Sequence, residues 1–309
     1  MKENFSKLIF ALFVVFCLSP WGNSALALLA GVILACTLGN SYKEFTKKYT
    51  PLLLQISVVG LGAGMNLLVV GAVGIHGIGY TFTGILFTGI VGYLLSKMLK
   101  TPFILSTLIS VGTAICGGSA IAATGPILKA DSEEMSVSLG VVFILNALAL
   151  FIFPLIGHAL YLDQHQFGLW SALAIHDTSS VVGASMQYGA EALELATTVK
   201  LARALWIIPL SLGLALFMKS KTKIKIPWFI LGFILMATIM TWVPELHPIG
   251  SVISSIAKKL LVLTLFFIGS NLNLESIKKV GIKPLLLGFI LWFIVGSSSL
   301  LAIKLNLIN

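Results

Sequence analysis

His176 and Asp177, followed by Thr178-Ser179-Ser180, are the residues of this chain best suited to chemistry. A histidine titrates near neutral pH, and a buried carboxyl can take up and release a proton. Side by side they could carry a coupling proton or hold sodium. Their ordinary role would be to cap a helix and satisfy its backbone groups. Position separates these readings. The pair lies inside an apolar segment, 167–188, whereas every other acid falls in an expected loop, at a terminus or at a segment end. A carboxylate at membrane depth costs roughly 2.5–3.5 kcal/mol. A group that costly generally has a partner or a ligand, so an aqueous path or binding site is expected around Asp177.

A second apolar segment, 103–128, is cut by Cys116-Gly117-Gly118-Ser119. Glycines let backbone approach a ligand, and free N–H groups at the start of a half-helix bind anions. The plainer reading is close helix packing by small residues. No motif supports Cys116 as a nucleophile. Lys200 and Arg203, the one arginine in the chain, are three apart and share a helical face. They suit a cationic site for an anion or for Asp177, with a planar fork of donors from arginine. Otherwise they would snorkel to the interface. Asn66, Asn271 and Asn273 could line a cavity, bond between helices or cap helix ends, and Asn146 reads similarly.

Composition says what must position these residues. The chain has 309 residues, 58% of them hydrophobic, with a mean hydropathy of +1.03. Runs of about 20 apolar residues mean membrane-spanning helices. Such segments fall at 8–20, 24–39, 51–70, 78–99, 103–128, 134–160, 167–188, 195–218, 227–243, 249–271 and 283–306. No linker interrupts them, so residues 1–309 read as one integral membrane domain. The first run reads as a short span rather than a cleaved signal. The net charge of +9 is carried almost wholly by lysines clustered at segment ends, the pattern of the positive-inside rule. No soluble basic face exists for nucleic acid. The three cysteines have no paired spacing, so neither a disulfide framework nor a metal site is expected, and nothing calls for a cofactor.

Two internal repeats appear. Gly62-Ala63-Gly64-Met65-Asn66-Leu67 resembles Gly269-Ser270-Asn271-Leu272-Asn273-Leu274, and Ala114-Ile115-Cys116 with Ser119 matches Ala174-Ile175-His176 with Ser179. Their displacements differ, which two permuted five-element units would explain. The pairs are then 24–39 with 227–243, 51–70 with 249–271, 78–99 with 283–306, 103–128 with 167–188, and 134–160 with 195–218. The lysines place the loops at 43–48, 97–100 and 219–225 inside. For the two cut segments to be inverted as well, each must enter and leave on one side, as a re-entrant hairpin. Lysine positions alone also permit both to cross; hairpins are favoured. Broken elements meeting near the midplane are a transporter arrangement.

The chain resembles a family of bacterial inner-membrane proteins designated sulfate exporters. The resemblance covers most of the sequence and is carried by Thr113-Ala114-Ile115-Cys116-Gly117-Gly118-Ser119-Ala120-Ile121-Ala122-Ala123, Lys129-Ala130, His176-Asp177 with Val181-Val182, and Val199-Lys200-Leu201-Ala202-Arg203. It departs at Asp177, where many members carry Glu, and at Ser179 or Ser180, where they carry Gln. The resemblance implies the architecture of cation–proton antiporters and bile-acid transporters, with inverted repeats and broken helices.

The expectation is an all-α polytopic protein of a bacterial plasma membrane, with about 9–11 membrane elements, two of them broken or re-entrant. It is expected to be a secondary transporter and not an enzyme. A small anion, sulfate or an organosulfonate, would bind Cys116, Gly117, Gly118, Ser119, Thr178, Ser179, Ser180, Lys200 and Arg203. His176 and Asp177 would couple a proton or sodium, with Asn66, Asn271 and Asn273 along the cavity. Expected partners are the anion, the coupling ion, the bilayer and copies of the same chain. Alternatives are a cation–proton antiporter centred on Asp177, for which Arg203 would be dispensable, and an intramembrane hydrolase pairing His176 with a Ser or Cys.

Overall fold

The computed structural model describes residues 2–219, 228–271 and 281–308, so Asn273 lies outside the described residues. Those residues are helical almost throughout. The helices are α1 (Lys2–Leu18), α2 (Ser24–Thr37), α3 (Lys43–Leu61), α4 (Leu67–Leu99), α5 (Phe103–Ala114), α6 (Gly118–Leu128), α7 (Ser132–Ala159), α8 (Gln164–Ala174), α9 (Thr178–Tyr188), α10 (Ala190–Leu205), α11 (Ile207–Phe217), α12 (Trp228–Trp242), α13 (His247–Asn271) and α14 (Ile282–Lys304). Five stretches among them are long and apolar enough to cross a bilayer: Gly79–Leu99, Ser132–Ala159, Ala190–Phe217, Pro244–Asn271 and Ile282–Lys304. The chain is therefore a polytopic all-α membrane protein. Starts are set by local chemistry. Asp131 and Glu134 form a capping box on α7, and Asp163 and Gln166 form one on α8.

The single run of apolar segments resolves into two compact units interleaved along the chain, residues 1–72 with 227–274 and residues 73–226 with 275–309. No composition shift marks the division, because both units are built for the same solvent. In the first unit α13 packs on α2 and α3, and α12 packs on α3. Exchanging α2 with α12 and α3 with α13 maps these contacts onto one another, as the permuted repeat requires. Phe10 of α1 lies against Phe266 and Phe267 of α13. The backbones of α2 and α13 touch at Gly31 and Gly269: a Cβ on Gly31 would stand 2.6 Å from the Ser270 nitrogen, and one on Gly269 would be 3.2 Å from the Gly31 Cα. Small residues are what allow such an approach. Gly31→Ala is expected to destabilise this unit by about 1–3 kcal/mol, read as a lower thermal midpoint in detergent. Gly213→Ala on α11, where a Cβ meets nothing within 4 Å, should not lower it.

In the second unit both cut segments are hairpins. Leu108 of α5 shares one buried cluster with Ile121 and Leu128 of α6 and Val142 of α7, and Ile104 and Ala130 pack against it. Both ends of residues 103–128 thus lie together. The second hairpin closes like a ladder. Gln164 accepts from the Glu191 N–H at 3.1 Å, the rings of Phe167 and Tyr188 stack at 3.8 Å, and the Ser171 and Ser185 hydroxyls are 2.9 Å apart. Residues at nearly equal distances on either side of positions 177 and 178 therefore face each other. The two hairpins enter from opposite ends of α7. Met135, near its start, packs against the first hairpin's cluster, while His158, near its end, stacks on Tyr188 of the second. Inversion of the broken elements, left open by the lysines, is thereby decided.

Candidate functional site

The unwound residues are Ile115-Cys116-Gly117 and Ile175-His176-Asp177. The sequence placed the interruptions slightly later, at Cys116–Ser119 and Asp177–Ser180. Gly118, Ser119 and Thr178–Ser180 are instead the first turns of α6 and α9, because small and hydroxyl residues suit a helix start as well as a break. The two tips abut. A Cβ built on Gly117 would lie 3.4 Å from both the Cα and the Cβ of Asp177 and 3.1 Å from a Val142 methyl. Gly117 also has φ +64 and ψ −123, a region that side chains disfavour. Gly117→Ala should cost about 1–3 kcal/mol, chiefly as backbone strain at this positive φ, with crowding against the Val142 methyl. A fall in both thermal midpoint and any transport flux is expected, while Gly118→Ala, with its nearest contact at 3.4 Å, should be tolerated.

Each tip brings one helix C-terminus and one helix N-terminus to the interior, so four sets of backbone groups need partners there. The C-termini take the two cations. Arg203 Nε donates to the Ala114 carbonyl of the first tip at 2.7 Å, and its Nη1 donates to Leu173 and Ala172 of the second. Lys200 Nζ donates to Ile175 at 2.7 Å and to Ala172 at 3.3 Å. Lys200 is fully buried and Arg203 only 2% exposed, so neither snorkels. One guanidinium ties both hairpins together, and the positive charges answer the negative ends of α5 and α8.

The N-termini meet at Asp177. Its carboxylate caps α9, accepting from the Ser179 N–H at 3.1 Å and from the Ser179 hydroxyl. Gly117, the N-cap of α6, has no side chain to do the same. Asp177 and Gly118 are partly exposed and Ser119 is exposed, amid neighbours that are almost all buried. Cys116, Thr178, Ser179 and Ser180 are buried.

His176 and Asp177, read together from the sequence, are separated by the extended backbone between them. His176 is 1% exposed, and its ring centroid lies 6.5 Å from that of Trp292 on α14. Neither ring nitrogen has a hydrogen-bond partner among the described residues, so the Ser–His or Cys–His pairing of a hydrolase is not assembled. Asn146, in mid-α7, is the residue that sequence reasoning undervalued. Its Oδ1 accepts from the Asp177 N–H at 3.1 Å, while its Nδ2 is buried and has no partner among the described residues. A lone amide in an apolar helix was the available signal.

The asparagines of the first unit do other work. Asn66 accepts from the Leu68 N–H at the start of α4. Asn271 accepts from the Thr46 hydroxyl at 2.8 Å and from Asn40 at 3.4 Å, tying α13 to the α2–α3 turn. Among the described residues no group of three or more His, Cys, Asp or Glu could hold a metal ion.

The family described as Conserved hypothetical protein 698 matches residues 9–288. The chain is similar to a UPF0324 membrane protein of Bdellovibrio bacteriovorus, 56% identical over 315 residues that cover 100% of this chain and 97% of the relative. A UPF0324 membrane protein of Bacteroides thetaiotaomicron is 52% identical, covering 91% and 86%, and one of Geobacter sulfurreducens is 47% identical, covering 98% of each chain. No solved structure matches.

Proposed function

The chain belongs to the UPF0324 membrane protein family, and we propose that it works as a secondary transporter of a small oxyanion, sulfate or an alkanesulfonate, driven by protons and not an enzyme. The observation that carries this reading is the meeting of the α6 and α9 N-termini beside one partly exposed carboxyl. Two positive helix ends attract an anion, and the carboxylate of Asp177 competes with it for the same field. Protonating Asp177 removes that competitor, so proton and anion bind together and leave together. The amide of Asn146, whose Oδ1 accepts from the Asp177 N–H, stands beside the acid as a further donor.

Charge count favours an anion over a cation. The tip region holds Lys200 and Arg203 against Asp177 alone, one positive charge in excess, and a bound cation would raise it. Lys200 and Arg203 act here as anchors of the hairpins rather than as ligands. The partly exposed carboxylate is the one feature that favours cation–proton antiport instead. Proteoliposomes loaded with labelled sulfate, an alkanesulfonate or sodium, with and without a pH gradient, separate the two. Anion flux that follows the proton gradient supports the proposal. Sodium flux that does so, without anion flux, overturns it.

A further inference from the structure

A cleft of about 260 Å³ runs between α4, α5 and α11, wholly within the second unit. We propose that it holds one acyl chain of an anionic phospholipid, drawn from the leaflet at whose surface Lys97 and Lys100 lie. This rests on the cleft itself and not on the transport reading.

Its walls are largely apolar, with Ile85, Phe103, Val111, Leu210 and Leu214 among them. The floor hydroxyls of Ser106 and Ser110 already donate to carbonyls of their own helix, at 3.0 and 2.8 Å. The cleft therefore offers little to water and suits a hydrocarbon guest. A cavity of about 150 Å³ with such walls accepts benzene, so this one has room for a chain. It extends along α5 from Phe103 to Ala114 at the hairpin tip. Those 12 residues span about 18 Å, against about 15 Å for one leaflet of a 30 Å hydrocarbon core.

The head-group end is marked by charge. Tyr93 and Phe103 flank the mouth, both about half exposed. The Lys97 ammonium lies 4.7 Å from the Tyr93 ring centre, and Lys100 follows at the turn into α5. Basic residues at a membrane surface favour anionic head groups. Gly89 lines the cleft, and a Cβ there meets nothing within 4 Å, whereas one on Gly92 would strike Ser110. A large side chain at 89 thus fills the space without displacing the helices.

The test uses the full chain in detergent micelles with phosphatidylglycerol and phosphatidylcholine probes carrying the same photoreactive acyl chain. The phosphatidylglycerol probe should label residues 85–114 in excess of the phosphatidylcholine probe by about five-fold for each lysine engaged. Gly89→Phe should remove that labelling while leaving labelling around exposed Phe293 on α14 unchanged, and Lys97→Gln should shrink the excess. If Gly89→Phe does not fold, Gly89→Leu is the smaller plug, and competition by unlabelled phosphatidylglycerol reads the same site in the parent protein. Equal labelling by the two probes, labelling at 85–114 no stronger than at Phe293, or full labelling in a folded plugged variant overturns the proposal.

Discussion

Arg203→Gln is expected to yield protein that is poorly folded or markedly less stable, and not merely protein that no longer binds a substrate. The guanidinium is buried and satisfies carbonyls from both hairpin tips, Ala114 on one side and Leu173 and Ala172 on the other. A shorter neutral side chain cannot bridge them. Ala172 keeps Lys200 as a donor, so the carbonyls of Ala114 and Leu173 are the ones left without a partner; at about 1–3 kcal/mol each, the loss should total about 2–6 kcal/mol. That is a large share of the roughly 5–15 kcal/mol that holds a domain together. The checks are yield of monodisperse protein and thermal midpoint in detergent. Arg203→Lys keeps the charge but not the fork, and should fall between the two. A folded, fully stable Arg203→Gln protein that has lost only anion flux would restore the guanidinium as a ligand and remove its role as an anchor. For the same reason loss of Arg203 cannot discriminate anion from cation transport, although the sequence alone suggested that it would. Its loss disturbs the tips in either case.

Asp177→Asn does discriminate, and its effect should be nearly all-or-none. Asparagine caps a helix as well as aspartate does, so α9 should still begin at Thr178 and the protein should fold. It cannot take up a proton. If one proton accompanies each alkanesulfonate, one unit of pH gradient supports about ten-fold accumulation, since a unit corresponds to about 1.4 kcal/mol. The Asp177→Asn protein should show none, leaving passive equilibration. Counterflow of labelled against unlabelled anion, which needs no net proton movement, should persist in it. Accumulation by Asp177→Asn equal to the parent's would remove Asp177 from the coupling step. Loss of counterflow together with accumulation would make the carboxyl part of the anion site itself.

Much of the site was legible because its residues are anomalous for their surroundings. Asp177 is an acid in mid-segment, and Gly117-Gly118 interrupts an apolar run; both breaks follow from those facts. The partners of Lys200 and Arg203 were not legible, since backbone carbonyls at helix ends carry no side-chain signature. A cation three residues from another reads equally as ligand, anchor or snorkel. His176 and Asp177 look like a pair in sequence, yet extended backbone turns consecutive side chains to opposite sides. Asn146 looked ordinary because nothing in its own helix shows that it holds the backbone of residue 177.

The amino-acid order alone settled the solvent and the class of fold, because burying 58% apolar residues in helices about 20 long leaves a bilayer as the only medium that fits. It also located the two interruptions. Whether those segments cross or turn back was decided only in three dimensions, by Leu108 meeting Ile121 and Leu128, and by Phe167 meeting Tyr188. Lysines report which side a loop lies on, and both topologies satisfied them. The choice rests on contacts between residues far apart in the chain, on Gly117 fitting against Asp177 and on one guanidinium reaching two helix ends, and pairings of that kind leave no periodic trace in a single sequence.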